Sequence, residues 1–118
     1  MPATLLSAIP VLPTLDLAES LAFYRERLGF VVTFHYDDYA GLQRDGVQVH
    51  LWLCQDPELP KDTSCRFQVS GIDELYQAYH AQGVIHPNGA LETKPWGFRE
   101  FTALDGDGNG LVFAEPLA

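Results

Sequence analysis

The chain carries the same order of helix and strand signals twice. One helix signal begins at Asp16 and ends at Gly29, and a second begins at Gly71 and ends at Gly83. The two beginnings lie 55 positions apart and the two ends 54 positions apart. A repeat at nearly constant spacing indicates two copies of one supersecondary unit. We therefore expect two small α+β modules, each with one helix on one face of its sheet.

Apolar residues in the first helix recur at i, i+4, i+7 and i+11, and these residues are Leu17, Leu21, Tyr24 and Leu28. Asp16 precedes this stripe, and Glu19 stands three residues later, as in a capping box. The second helix carries a similar stripe of Ile72, Leu75, Tyr76 and Tyr79. Both segments are thus predicted to be amphipathic helices that cover a sheet.

Short apolar runs between turn signals predict the strands. Residues 8–13 contain Pro10 and Pro13, which lack the N–H that a sheet interior needs, so this segment is expected to be an edge strand or an arm. Further strands are expected over 30–34, 40–44, 47–54, 65–69 and 90–93, and on both sides of the turn at 105–110. The predicted order is βαβββ twice in a single domain, 1–118, with module 1 at about 5–54 and module 2 at about 63–116.

Composition limits the classes of partner. The net charge of −9 repels nucleic acid and anionic lipid and favours a cationic ligand. We expect no membrane span, and the start of the chain lacks the basic region of a signal peptide, so the predicted location is cytoplasmic. Cys54 and Cys65 are expected to be reduced core thiols.

Alternation along 47–54 places Val49, Leu51 and Leu53 on an expected core face, and His50, Trp52 and Cys54 on an expected pocket wall. Six aromatic residues lie near loops or on non-core faces: Phe34, Tyr36, Tyr39, Trp52, Trp96 and Phe98. Such rings can stack on a flat ligand, but some of them are expected to be ordinary core residues.

Three further features of the sequence could bind an ion or a charged ligand. The run from Asp105 to Gly110 matches the first half of a calcium loop, but Pro116 stands where the bidentate Glu is needed, so a hairpin turn is favoured. His35 and His50 are too few for a convincing metal centre. The adjacent Asp37 and Asp38 fit either a solvated turn or attraction of a cationic ligand.

Several motifs follow one another along the chain: Ile9-Pro-Val-Leu-Pro, Leu28-Gly-Phe30, Asp37-Asp-Tyr-Ala-Gly41, Val49-His-Leu-Trp52, His86-Pro-Asn and Pro95-Trp-Gly-Phe-Arg-Glu-Phe101. Together and in this order they resemble the motifs of the bleomycin resistance proteins, within the vicinal oxygen chelate (glyoxalase-like) superfamily. The resemblance implies a homodimer that exchanges an N-terminal arm hinged near Pro10, with two ligand grooves at its interface.

The same resemblance assigns residues to the groove. It puts Phe34, Tyr39 and Trp96 at stacking positions and the pair Asp37 and Asp38 at an acidic edge. The resemblance implies that the superfamily's metal-ligand positions fall on Ile9, near Ser64, on Val112 and at His50. Among these residues, His50 alone is a usual metal ligand, so at most one ligand of the set is kept. This departure argues for a binding protein and against a metalloenzyme.

The resulting prediction is a protein that sequesters a bleomycin-class glycopeptide without modifying it, with no cofactor and no catalytic residue. The predicted ligand-binding residues are Phe34, Asp37, Asp38, Tyr39, His50, Trp52, Trp96, Phe98 and Arg99. Two alternatives stay open: a metalloenzyme of the same superfamily that uses His50, and a binder of another planar cationic metabolite.

Overall fold

A computed structural model describes residues 2–118 as two four-stranded sheets. The first sheet has the order β1-β4-β3-β2 and consists of β1 (Val11–Thr14), β2 (Val31–His35), β3 (Tyr39–Arg44) and β4 (Val47–Leu53). The second has the order β5-β8-β7-β6 and consists of β5 (Ser64–Gln68), β6 (Glu92–Lys94), β7 (Phe98–Leu104) and β8 (Gly110–Pro116). β1 runs parallel to β4, and β5 runs parallel to β8. The other neighbouring strands in each sheet are antiparallel.

One helix follows the first strand of each sheet: α1 (Leu17–Phe23) after β1 and α2 (Ile72–Ala81) after β5. A short 3₁₀ helix (Leu59–Asp62) lies between the two modules. The order of elements is βαβββ twice, so the predicted α+β fold with two such modules is confirmed.

The first helix begins and ends where its sequence predicts. Asp16 Oδ1 accepts a hydrogen bond from the Glu19 N–H at 2.9 Å, which satisfies a free donor of the first turn. The helix continues as one π-helical turn (Tyr24–Leu28) and ends at Gly29, whose φ of 79° is left-handed. The stripe of four apolar residues is buried, as the periodicity predicted.

The two modules share one core. The Phe30 and Phe67 rings, one from each module, lie 6.5 Å apart, and the Tyr79 hydroxyl donates to the Leu28 carbonyl at 2.7 Å. Cys65 is half-buried within this core, and burial raises the pKa of its thiol to about 12. Both cysteines are free thiols, as expected.

The acidic turn between β7 and β8 joins the modules. Asp105 Oδ1 accepts three backbone N–H groups of the turn, from Asp107, Gly108 and Asn109. Burial raises the pKa of Asp105, although hydrogen bonds from the Tyr24 hydroxyl, from Asn109 and from the Asp107 N–H oppose the shift. Asp107 also accepts hydrogen bonds from the Thr14 hydroxyl at 2.7 Å and from the Leu15 N–H. The segment is a hairpin turn, as favoured, and its carboxylates already have protein donors.

Two expectations for the end of β4 were wrong. Leu53 is 39% exposed and so does not belong to the core, whereas Cys54 is buried and does not line a pocket wall. The reason is that β4 ends at Leu53 and the Cys54 N–H bonds to the Thr14 carbonyl, so the alternation stops there. The expected edge position of β1 is confirmed, because it pairs with β4 alone.

No helix within residues 2–118 is long and apolar enough to cross a membrane.

Candidate ligand-binding site

Each sheet has one face against its helix and one face without a helix. On the uncovered face of the first sheet, Gly41 of β3 lies opposite both Phe34 and His50, and Tyr39 lies opposite Trp52. Residues two apart on a strand share a face, so these side chains come together. We call Phe34, Tyr39, His50 and Trp52 the aromatic cluster.

The rings of the aromatic cluster support one another. Phe34 and Tyr39 are nearly parallel, with centroids 6.0 Å apart and an interplanar angle of 17°. His50 stands edge-on to both rings, and its Nδ1 lies 2.8 Å from the Tyr39 hydroxyl. A Cβ added at Gly41 would lie 2.2 Å from the Phe34 ring, so the ring needs a glycine beneath it.

The acidic pair lies at the end of this cluster. Asp37 and Asp38 are exposed in the tight connection from β2 to β3, where the Tyr36 N–H donates to the Tyr39 carbonyl at 2.8 Å. Within residues 2–118, neither carboxylate forms an ion pair. Trp52 is 37% exposed. The sequence predicted all six of these groups, and the structure places the four rings on one face of the sheet, with Asp37 and Asp38 in the connection that precedes Tyr39.

The second sheet carries a different group on its uncovered face. A tight turn from Lys94 to Gly97 precedes β7, and Gly97 takes a φ of 91° that a side chain would strain. Trp96 sits in this turn and is 59% exposed. Alternation along β7 then places Phe98 and Glu100 on the same face. We call Arg66, Trp96, Phe98 and Glu100 the indole cluster.

A buried carboxylate organises the indole cluster. Glu100 Oε2 accepts hydrogen bonds from Trp96 Nε1 at 2.7 Å and from the Arg66 guanidinium. The hydrogen bond from Arg66, more than that from Trp96, holds the pKa of Glu100 below its usual value. The same guanidinium lies 5.0 Å from the centre of the Phe98 ring, and Lys94 Nζ lies 5.7 Å from the Trp96 ring.

Arg99 does not share this face, so the structure does not bring it together with the other predicted site residues. It projects towards the helix side, where its guanidinium pairs with Asp73 of α2 at 3.0 Å. The physical reason is the pleat of β7, which sends Phe98 and Arg99 to opposite faces.

Sequence reasoning missed Arg66 and Glu100. A signal for Glu100 was available, because it is the single carboxylate among residues 98–104 and alternates with Phe98. Arg66 could not be linked to it from sequence, since the contact depends on β8 lying between β5 and β7.

Within residues 2–118, no hydrogen bond, ion pair or aromatic contact joins the aromatic cluster to the indole cluster. A cavity of about 600 Å³ lies between α2 and the β3–β4 turn, and a smaller one of about 320 Å³ lies on the uncovered face of the second sheet. Trp96 lines neither of them. Neither of these two cavities of a single chain is therefore the ligand groove in which Trp96 is expected to stack.

The metal-ligand positions implied by the resemblance fall on Ile9, near Ser64, on Val112 and at His50, and of these named residues His50 alone has a side chain that usually binds metal. Within residues 2–118, no group of three or more His, Cys, Asp or Glu side chains could hold a metal ion. The chemistry that these residues offer is stacking, hydrogen bonding and charge attraction.

Two βαβββ modules, each with aromatic residues on the sheet face that no helix covers, define a protein of the glyoxalase-like fold. Residues 8–113 match the family described as the Glyoxalase/Bleomycin resistance protein/Dioxygenase superfamily. A bleomycin resistance protein of Geobacillus stearothermophilus is 35% identical, over 96% of this chain and 98% of that protein. The chain therefore belongs to the glyoxalase/bleomycin resistance/dioxygenase superfamily. The resemblance found in the sequence motifs is confirmed.

Two solved structures share the fold closely. A bleomycin-binding protein from bleomycin-producing Streptomyces verticillus, complexed with copper(II)-bleomycin, has a TM-score of 0.84 and 28% identity, covering 95% of this chain and 97% of that chain. A bleomycin resistance determinant encoded on transposon Tn5 has a TM-score of 0.81 and 28% identity, covering 93% of this chain and 97% of that chain.

Proposed function

We propose that this protein is a cytoplasmic, dimeric antibiotic-binding protein that sequesters a bleomycin-class glycopeptide without modifying it. The observation that carries the proposal is the pair of uncovered sheet faces, each with aromatic rings held in place but free to receive a flat ligand. Relatives named for bleomycin resistance or bleomycin binding, similar over nearly the whole chain, support the same ligand class.

The ligand would lie between the two clusters. A flat heteroaromatic group stacks on Trp96 from one side and on Phe34 or Tyr39 from the other, each ring pair contributing roughly 0.5–1.5 kcal/mol beyond area burial. Asp37 and Asp38 attract the ligand's positive charge, and the net charge of −9 strengthens that attraction. His50, Trp52 and Phe98 complete the walls as side chains on the same two faces.

The two clusters do not touch within one chain, so we propose that a second copy supplies the opposite wall. In a two-fold dimer, the aromatic cluster of each subunit would face the indole cluster of the other, which gives two equivalent sites. Leu5 and Leu6 of the N-terminal segment are 98% and 92% exposed, as expected for an arm that packs on a second copy. The arm leaves its own module at Pro10, whose carbonyl accepts the His50 N–H at 2.9 Å.

Calorimetric titration of the purified protein with bleomycin tests the proposal. Protection requires an affinity tighter than micromolar, about −8 kcal/mol, so saturable binding near one ligand per subunit is expected. Bleomycin recovered from the complex by denaturation should have its original mass. The absence of binding heat up to high micromolar ligand, or a modified drug, would refute the function.

A further inference from the structure

An exposed aromatic ring is fixed here by a buried anion. Trp96 is 59% exposed, but its Nε1–H donates to Glu100, whose side chain is only 7% exposed. A surface indole free of such a bond can change rotamer about two side-chain torsions. A hydrogen bond to a carboxylate is short and roughly twice as strong as a neutral one, so it restricts both torsions.

The carboxylate is itself fixed. Arg66 of β5 and Trp96 donate to the same oxygen, Oε2 of Glu100. The Arg66 guanidinium also lies over the Phe98 ring, so the two rings of the indole cluster are positioned through one ion pair. Loss of the Glu100 acceptor would therefore release Trp96 and remove the main partner that orients Arg66.

The local charge argues against direct recognition of a ligand cation by Glu100. Its carboxylate is already paired with Arg66, and Lys94 adds a second cation beside the indole. A positive ligand group is better served by Asp37 and Asp38, which are exposed and without ion pairs within residues 2–118. Glu100 would thus act on the ligand only through the ring that it holds.

We infer that Glu100 is a positioning residue, which sets the plane of the Trp96 indole before the ligand arrives. The inference rests on the proposed function for the identity of the ligand, but the orientation of the ring can be measured without any ligand. Fixing a ring in its bound orientation strengthens binding because less freedom is lost on association.

The first readout is the Nε1–H signal of Trp96 in a ¹⁵N-resolved spectrum of the ligand-free protein, distinguished from that of Trp52 with Trp52→Phe. Glu100→Ala should shift the Trp96 signal upfield and leave the Trp52 signal in place. In Glu100→Gln, one amide oxygen can accept both donors, so the Trp96 signal should return towards its wild-type position. Glu26→Gln removes an exposed carboxylate elsewhere and serves as the control, with no effect on either signal.

The second readout is a double-mutant cycle in bleomycin affinity. Glu100→Ala should weaken binding about tenfold, the size expected for a lost hydrogen bond to a charged group. In a Trp96→Phe background, which keeps a ring but has no N–H to hold, Glu100→Ala should cost clearly less affinity than in the wild type, because only the contact between Arg66 and Phe98 is left to disturb. Glu100→Gln should bind more tightly than Glu100→Ala.

Three results would overturn the inference. They are an unmoved Trp96 signal in Glu100→Ala, an equal loss of affinity in the Trp96→Phe background, and a Glu100→Gln variant that restores the signal but not the binding. If Glu100→Ala does not fold, the signal and affinity of Glu100→Gln decide the question. If the wild type binds no bleomycin, the proposed function fails, and the spectrum alone decides whether Glu100 holds the ring.

Discussion

The Tyr24 hydroxyl donates to Asp105 Oδ2 at 2.7 Å and thereby joins the helix of the first module to the hairpin turn of the second, 81 positions away. Both groups are buried, with Tyr24 fully inaccessible to solvent. Burial, more than the nearby Asp105 charge, raises the pKa of Tyr24, so its proton stays available for this bond. This buried hydrogen bond therefore holds the two modules of one chain against each other.

Removing this hydroxyl should weaken the junction. Tyr24→Phe keeps the ring but leaves Asp105 with one donor fewer, so the free energy of unfolding is expected to fall by about 1–3 kcal/mol, as for a hydrogen bond to a buried charged group. Urea unfolding measures the change. Tyr36→Phe, at a 68% exposed ring, is the matched control and should leave the midpoint unchanged. Equal stability of the two variants would show that the bond contributes nothing.

Gly41 should matter to binding more than to folding. In Gly41→Ala the new methyl group would overlap the Phe34 ring at 2.2 Å, and the ring must leave its place beside Tyr39. Loss of one stacking surface predicts bleomycin affinity about three- to tenfold weaker. Gly106→Ala, which meets ordinary contacts of 3.5 Å and longer, should bind like the wild type. Unchanged affinity in Gly41→Ala would remove Phe34 from the site.

The ion pair of Glu100 predicts a particular pH dependence. Because the Arg66 hydrogen bond lowers the pKa of folded Glu100, this group stabilises the fold above its unfolded pKa of about 4.3. That contribution is lost as the pH falls through the lower, folded value. The stability difference between wild type and Glu100→Gln should therefore be largest near pH 7 and shrink towards about pH 3. A difference that is constant over this range would contradict the assigned pKa shift.

The N-terminal arm should control assembly. Replacing Leu5 and Leu6 with Ser removes two side chains whose burial would each contribute roughly 1.5–3 kcal/mol, so the dissociation constant of the proposed dimer should rise. Sedimentation measured over a dilution series gives the dissociation constant. Leu117→Ser, at a 51% exposed residue of the other end, is the control. An unchanged dissociation constant for the double variant would exclude the arm from the interface.

Local signals in the sequence were enough to predict the fold. The caps, the apolar stripes and the spacing of 54 to 55 positions indicated both modules. The structure also contains a hairpin turn at Asp45 and Gly46, both with positive φ, as two-residue hairpin turns prefer. The π-helical turn after Phe23 had no such signal, since its residues also suit an ordinary helix.

The site was only partly predictable. Phe34, Tyr39 and Trp96 could be named because ring type and motif are visible in the sequence, but the anchor of Trp96 depends on strand order. Arg99 shows the opposite case. Neighbouring residues on a strand point to opposite faces, so the sequence alone already indicated that Arg99 and Phe98 could not line the same site. The prediction that both bind the ligand did not take this alternation into account.

The composite site can be tested most directly by mixing two defective proteins. Trp96→Ala lacks the indole wall, and Phe34→Ala/Tyr39→Ala lacks the facing wall, so neither homodimer should bind bleomycin tightly. After the two are unfolded together and refolded in equal amounts, half of the dimers should be mixed, and each mixed dimer should contain one intact site. Calorimetry is predicted to find about one tight site per four subunits. A mixture that binds no better than its two components would contradict a groove built from two copies of this chain.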